Sequence, residues 1–244
     1  MGDLSVILGA TGALGASIVE TFAKRGDRVI AVARSRAAVS ELAARYPPSA
    51  GGGVSGDTAD LTSRLAVDDL WQRIDRIGIP RWVVNATGGF RGGKLVDSTP
   101  DDYTSMMDLN LGSAWWSCRA AARRMVQIPS PLVGEGQGGG SQAIVNVASR
   151  SGLVAEPGAA AYAVAKAGVI MLTAVLAAEL KTSGVRVNAV VPAIIDTPAN
   201  RQSLPEKLIA KAVAPREIAD VIAYLCSDAS AAITGAAIPV YGRF

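Results

Sequence analysis

Apolar runs recur along the chain with almost no polar interruption: LSVIL 4–8, RVIAVA 28–33, WVVN 82–85, AIVNVA 143–148, VRVNAVV 185–191 and AAIPV 236–240. Successive side chains of a strand point to opposite faces. A run that is apolar at every position therefore marks a strand covered on both sides, as in a parallel sheet packed between helices. A weaker run, GVSG 53–56, fits between the second and third. Longer stretches with helical periodicity separate them: ALGASIVETFAKRG, SRAAVSELAARY, AVDDLWQRIDRI, GSAWWSCRAAARRM, AAYAVAKAGVIMLTAVLAAELKTSG and PREIADVIAYLCSD. Strand and helix in regular alternation predict a doubly wound α/β fold with a mainly parallel, seven-stranded sheet.

One segment breaks the rhythm. IPSPLVGEGQGGGSQ, 128–142, is rich in Pro, Gly and Ser and precedes an apolar strand that must pair into the same sheet. It reads as a mobile surface loop over about 129–142 and not as a linker between domains. A single domain spanning 1–244 is expected, with a short substrate lid over about 198–214.

Composition narrows the function classes. The 24 basic and 21 acidic residues give a net charge of +3, and the basic residues are scattered, so nucleic-acid binding is not indicated. Cys118 and Cys226 lie far apart with no CxxC and no His partner, which fits buried free thiols in a reducing cytoplasm and no zinc site. The N-terminal MGDLSVILGATGALGA has Asp3 where a secretory signal needs basic residues. The longest uncharged apolar run, AGVIMLTAVLAA, is shorter than the roughly 20 residues of a spanning helix, so no membrane segment is expected.

VILGATGALGASI places Gly9, Gly12 and Gly15 between a buried strand and a helix. Glycines there permit a tight turn and a close approach of a pyrophosphate to the helix N-terminus, where free N–H groups and the helix dipole favour an anion. At the end of the second strand, where an NAD site usually presents a carboxylate, the chain offers Ala33, then Arg34, Ser35 and Arg36. A guanidinium beside a hydroxyl suits a 2′-phosphate, so NADP(H) is expected in preference to NAD(H).

The chain contains no histidine, the usual proton carrier near neutral pH. Tyr162 and Lys166 stand four apart in a strongly helical stretch and so emerge on one face. A free tyrosine titrates near pH ~10, and a neighbouring ammonium is expected to draw it down toward working pH. The pair is the candidate acid/base.

With these motifs in order, the chain resembles a short-chain dehydrogenase/reductase from end to end, a family with a Rossmann-type fold. In that family a serine follows the strand before the Tyr helix, and IVNVASRSG supplies Ser149, thirteen residues ahead of Tyr162. DLNLGS supplies Asn110 where the family has an asparagine that helps hold a proton-relay water. The resemblance implies a tetrad of Asn110, Ser149, Tyr162 and Lys166, with Ser149 on the substrate carbonyl and Lys166 also on the nicotinamide ribose. It implies that Gly9, Thr11, Gly12, Leu14 and Gly15 line the pyrophosphate. GDTADL implies Asp57 and Thr58 at the adenine, and VVNATGG resembles N-N-A-G with Asn85 kept and Ala86 at the second Asn. VNAVVPAIIDTP resembles P-G-x-x-x-T, adding Pro192, with Ile195 and Thr197 beside the nicotinamide carboxamide.

The glycine spacing is G-x-x-G-x-x-G, as in the family's atypical and extended branches, with Leu8 replacing a threonine, and Tyr241 stands where an acidic residue is more usual. NATGGFRGGK and IDTPANRQSLP also resemble dihydropteridine reductases. The resemblance implies 4-pro-S hydride transfer from NADPH to a small carbonyl or imine, or the reverse on an alcohol, in a homotetramer or homodimer. Trp115 and Trp116 lie on the helix that the family uses for subunit packing. Two other readings are a non-catalytic nucleotide sensor, which has no need of the tetrad, and an S-adenosylmethionine methyltransferase, which leaves Y-x-x-x-K unexplained.

Overall fold

The computed structural model describes residues 2–49, 52–127 and 142–244. The stretch read as a mobile loop lies outside the described residues except for Gln142, which opens a strand. One sheet of seven strands runs in the order β3-β2-β1-β4-β5-β6-β7. Its members are β1 (Leu4–Leu8), β2 (Arg28–Ala33), β3 (Gly53–Thr58), β4 (Trp82–Asn85), β5 (Gln142–Val147), β6 (Val185–Pro192) and β7 (Ala237–Val240). Every neighbouring pair is parallel.

The inner strands are buried on both faces because helices cover both, whereas the edge strands β3 and β7 are partly exposed. Val6 and Leu8 of β1 pack with Trp71 of α3 (Arg64–Asp75), Met125 of α5 (Ser113–Met125) and Leu176 of α6 (Ala160–Glu179). Ile7, between them, packs on the other face with Ile18 and Phe22 of α1 (Ala13–Lys24) and Ile218 and Ile222 of α9 (Pro215–Leu225). Each buried side chain of this size contributes roughly 1.5–3 kcal/mol. Ser5, the polar exception on β1, is satisfied by donating to the Asp27 carboxylate. Helix α2 (Arg36–Ala44) covers β2 and β3, with Val39 and Leu42 turned inward.

Chain order reverses between β1 and β4. One connection leaves to each side there, so a crevice opens above the C-terminal strand ends, where ligands bind in folds of this type.

Three helices go beyond the sequence reading. Helix α4 (Pro100–Met106) carries a complete start signal, with Thr99 and Asp102 in a capping box and Pro100 at the first position. Helices α7 (Pro198–Ser203) and α8 (Glu206–Ile209) occupy the segment expected to form a lid. The two ends of this segment are joined where Asp196 N–H donates to Val213 O at 2.8 Å and Val213 N–H to Ile194 O at 2.9 Å.

Helix α6 corrects the length argument made from its uncharged run. Its 20 residues, with a mean hydropathy of 1.8, are long and apolar enough to cross a membrane by length and composition. Its inner face packs on the sheet through Ala165, Val169 and Thr173 and carries buried Lys166. Its outer face exposes Val164, Met171 and Val175.

Candidate active site

Gly9 ends β1 with φ +82°, and its N–H donates to Val32 O at 3.0 Å. A Cβ there would lie 2.7 Å from the Thr87 nitrogen, and one at Gly15 would lie 2.1 Å from Gly9 O. These two glycines are therefore demanded by the chain's own packing. Gly12 differs, since a Cβ there would meet nothing closer than Gly9 O at 3.7 Å. Thr11, Gly12 and Ala13 are exposed at this turn. Gly12 caps α1 with no side-chain hydrogen bond, whereas Ser35, Ser63, Thr99 and Thr197 cap α2, α3, α4 and α7. Leu14 is buried behind the turn. An uncapped helix start with open space at Gly12 fits the pyrophosphate of a dinucleotide.

At the far end of the crevice, guanidinium groups gather around the C-terminal ends of β2 and β3, from Arg34, from Arg36 of α2 and from Arg73 of α3. Arg34 is exposed, and its charge helps hold the Asp60 carboxyl below its usual range, behind the larger effect of hydrogen bonds from Thr62. Ser35 Oγ accepts from Ala38 N–H at 3.3 Å, which leaves its own hydroxyl proton free. Arg36 reaches Thr58 Oγ1 at 3.1 Å. Asp57 accepts a fork from Arg73, with Nε and Nη2 each at 3.0 Å, and also the Thr58 N–H at 2.6 Å. Arg73 completes the knot by donating to Thr58 O at 2.9 Å. Sequence reasoning missed Arg73, because nothing in its helix distinguishes it from an ordinary surface arginine.

The tetrad residues converge from three elements. The chain turns at the end of β5 so that Ser149, buried, caps a short 3-10 turn. Tyr162 lies in the first turn of α6, and Lys166 one turn further on, with its Nζ 5.8 Å from the Tyr162 ring centroid. Lys166 Nζ donates to Val147 O at 2.9 Å. Asn110 sits in a π-helical turn, Met107–Gly112, whose widened backbone carries the side chain inward. Its Nδ2 donates to Gly89 O at 3.1 Å and Met106 O at 3.0 Å, and its Oδ1 accepts from Gly89 N–H at 3.3 Å.

The titration of this site departs from the sequence reading. Burial pushes Tyr162 above the ordinary tyrosine value, and its hydrogen bond with Ser149 offsets only part of that. The expected lowering by Lys166 does not prevail in the free chain. Lys166 is itself buried, and that burial pushes its pKa down to about 8, so its positive charge is costly to hold. Tyr162 is thus a phenol that keeps its proton.

Asn85 is committed elsewhere. Its Nδ2 donates to Asn146 Oδ1 at 2.6 Å inside the core, so the residue offers the crevice only its backbone. Beyond it, Ala86 is half-buried and packs against the Ile7 core. Thr87 Oγ1 is buried with no partner among the described residues. Pro192 ends β6. Thr197 Oγ1 accepts from Asn200 N–H at 3.2 Å and retains a proton to donate, while Ile195 O accepts from Asn200 Nδ2 at 2.8 Å. These groups fit a carboxamide. Gly88 was also missed. A Cβ there would come within 2.8 Å of Asn110 Oδ1 and 3.2 Å of Lys166 Nζ, so the glycine pair in NATGG is what lets this loop lie against the tetrad.

An uncapped glycine turn after β1 and a Ser–Tyr–Lys cluster at the end of β5 are the marks of a Rossmann-fold oxidoreductase. A family model described as Enoyl-(Acyl carrier protein) reductase matches residues 9–242, and the chain belongs to the short-chain dehydrogenase/reductase family. It is 34% identical to a galactitol 2-dehydrogenase of Rhizobium johnstonii over 100% of this chain and 95% of that protein. It is 30% identical to a 3-oxoacyl-(acyl-carrier-protein) reductase of Thermotoga maritima over 99% of this chain and 97% of that one. Among solved structures, a 3-oxoacyl-(acyl-carrier protein) reductase with bound NAD from Brucella melitensis superposes with a TM-score of 0.85 at 28% identity, covering 99% of this chain and 90% of that one.

Proposed function

We propose that this oxidoreductase is an NADP(H)-dependent carbonyl reductase in which Tyr162 is the proton donor. The observation that carries the reading is the placement of a proton-holding Tyr162 beside Ser149 and buried Lys166, directly under the Gly88 loop. A nicotinamide bound in the crevice supplies the hydride. Ser149 Oγ–H donates to the substrate carbonyl oxygen, and the Tyr162 phenol transfers its proton to that oxygen as the carbon takes up hydride. The alkoxide charge that develops is thereby neutralised in place, a gain made in the transition state and not on binding. Lys166, held by Val147 O, keeps donors to spare for a cofactor ribose and for the phenolate that remains.

Arg34 supports NADP(H) over NAD(H). It is exposed, stands next to the free Ser35 hydroxyl proton, and has no hydrogen bond among the described residues, so it is available to a 2′-phosphate. Asn110, locked to the Gly89 backbone, is a positioning residue for the loop over the site. The two relatives are named for a polyol and for an acyl chain, and both names denote secondary alcohol–ketone couples.

The chain is also proposed to self-associate through α5 and α6. An apolar groove of about 730 Å³ between them is lined by Trp115, Met171, Leu172 and Val175, a surface too large and apolar to favour standing in water. Turnover of a ketone by the native chain and by a Tyr162→Phe variant, with cofactor binding measured on both, tests the reading.

A further inference from the structure

The loop that presses on the tetrad carries one bulky side chain. In Gly88–Gly93 the glycines at 88 and 89 are forced by Asn110, Lys166 and Leu109, since a Cβ at Gly89 would stand 2.6 Å from Leu109 Cδ2. Gly93 N–H donates to Gly158 O at 2.7 Å, which straps the loop across the segment that leads into Tyr162. Phe90, between these anchor points, meets the Tyr162 ring edge to face, with centroids 5.1 Å apart and planes at 83°. Gly92 backs its ring, for a Cβ there would touch Phe90 Cε1 and Cζ at 3.4 Å. The rest of Phe90 is open, 67% exposed.

The flanking segments continue the same chemistry. Leu95 and Val96 follow the strap, Leu153 and Val154 follow Ser149, and all four are exposed. The arginines nearest them in sequence are already engaged: Arg91 with Asp102 at 2.7 Å, Arg150 with Glu156 at 2.5 Å and, on the lid, Arg201 with Asp196 at 2.5 Å. Phe90 is thus an aromatic wall beside the proton donor; in the flanking segments the three arginines are paired, while Lys94 stands exposed next to Leu95.

We infer that Phe90 sets substrate specificity, and that the substrate couple is a ketone and secondary alcohol with an aliphatic or alicyclic skeleton, not a polyhydroxylated one. The inference rests on the carbonyl-reductase reading. With the carbonyl oxygen between Ser149 and Tyr162, a substituent on the carbonyl carbon meets the open face of Phe90. An alkyl group there leaves water and covers an exposed ring, whereas a hydroxylated one loses hydrogen bonds that Phe90 cannot replace.

The test uses the full chain with NADPH and two probe ketones, 1-decalone and fructose. Wild type is expected to favour decalone by at least ~10²-fold in kcat/KM. Phe90→Ala is expected to raise the decalone KM roughly tenfold, the effect of leaving on the order of 60 Å² of apolar surface wet, with kcat changed less than about threefold. Phe90→Leu should restore most of the loss. Preference for fructose, or an unchanged decalone KM in Phe90→Ala, would overturn the inference. If neither ketone turns over, the reductase reading fails, and saturation-transfer NMR still reads Phe90. A decalone signal lost in Phe90→Ala and kept in Phe90→Leu supports the apolar site, and an equal signal in all three refutes it.

Discussion

Lys166 Nζ donates to the carbonyl oxygen of Val147 at 2.9 Å, which ties the middle of the α6 first turns to the end of β5 two residues before Ser149. Strand and helix thereby hold Ser149 and Tyr162 in one register. The bond also explains how a lysine remains in the core. Its neighbour across the site, Gly88, leaves a gap beside the ammonium group, where a Cβ would lie 3.2 Å from Nζ.

Gly88→Ala fills that gap. The added methyl would sit 2.8 Å from Asn110 Oδ1 and 3.2 Å from Lys166 Nζ, so one of them must move. Turnover of the best ketone is expected to fall at least ~10-fold, because displacement of a reacting group by even a fraction of an ångström is costly. Steady-state kinetics with a melting curve checks this, and activity within twofold of wild type contradicts it.

Lys166 should write itself into stability against pH. Its folded pKa of about 8 lies below the unfolded value of 10.5, so below pH 8 both states are protonated and the folded state carries the full cost of a buried charge. Between those values the unfolded chain holds the extra proton, so unfolding free energy rises with pH, by on the order of 3 kcal/mol across the window. Urea unfolding of wild type and Lys166→Met at pH 7.5 to 9.5 isolates this slope. Cys118 and Cys226, whose thiols burial pushes up to about 12, contribute the opposite trend above pH 9 in both proteins and cancel in the difference. A wild-type slope equal to that of the variant would contradict a charged, buried lysine.

Much of this architecture is legible in the chain because both layers of helices leave a simple trace. The strands are apolar at successive positions, as in WVV of β4, and the glycine turn and Y-x-x-x-K are local in sequence. What escaped was set by contacts distant in sequence. Nothing in RLAVDDLWQRID tells that Arg73 closes on Asp57, sixteen residues earlier. Asn85 is in the expected place at the end of β4, yet Asn146 of the next strand draws its side chain into the core. The direction of the Tyr162 shift also needed burial, which no spacing records. The capping box that starts α4 was legible and went unread.

The proposed cofactor choice turns on one side chain. Arg34→Ala is expected to weaken NADPH at least ~10-fold while leaving NADH within about threefold, since a charge-assisted contact to the 2′-phosphate is lost and nothing else changes. Titration by nicotinamide fluorescence measures both, and equal losses would remove Arg34 from the phosphate site.

The groove between α5 and α6 makes a claim about mass. Light scattering of the native chain should give a multiple of 25.0 kDa, and Met171→Glu should shift it toward the single-chain mass by placing a charge in an apolar contact. A native mass of 25.0 kDa contradicts self-association through this face.

The most direct measurement of the central claim is single-turnover oxidation of NADPH with a ketone, for the native chain and Tyr162→Phe, alongside cofactor affinity. The variant keeps the ring and removes only the hydroxyl, with its proton and its hydrogen bond to Ser149, so the account predicts unchanged NADPH binding and a rate lower by roughly 10²–10⁴-fold. A variant that binds NADPH and turns over at the native rate would show that the proton comes from elsewhere, and Tyr162 would lose its role.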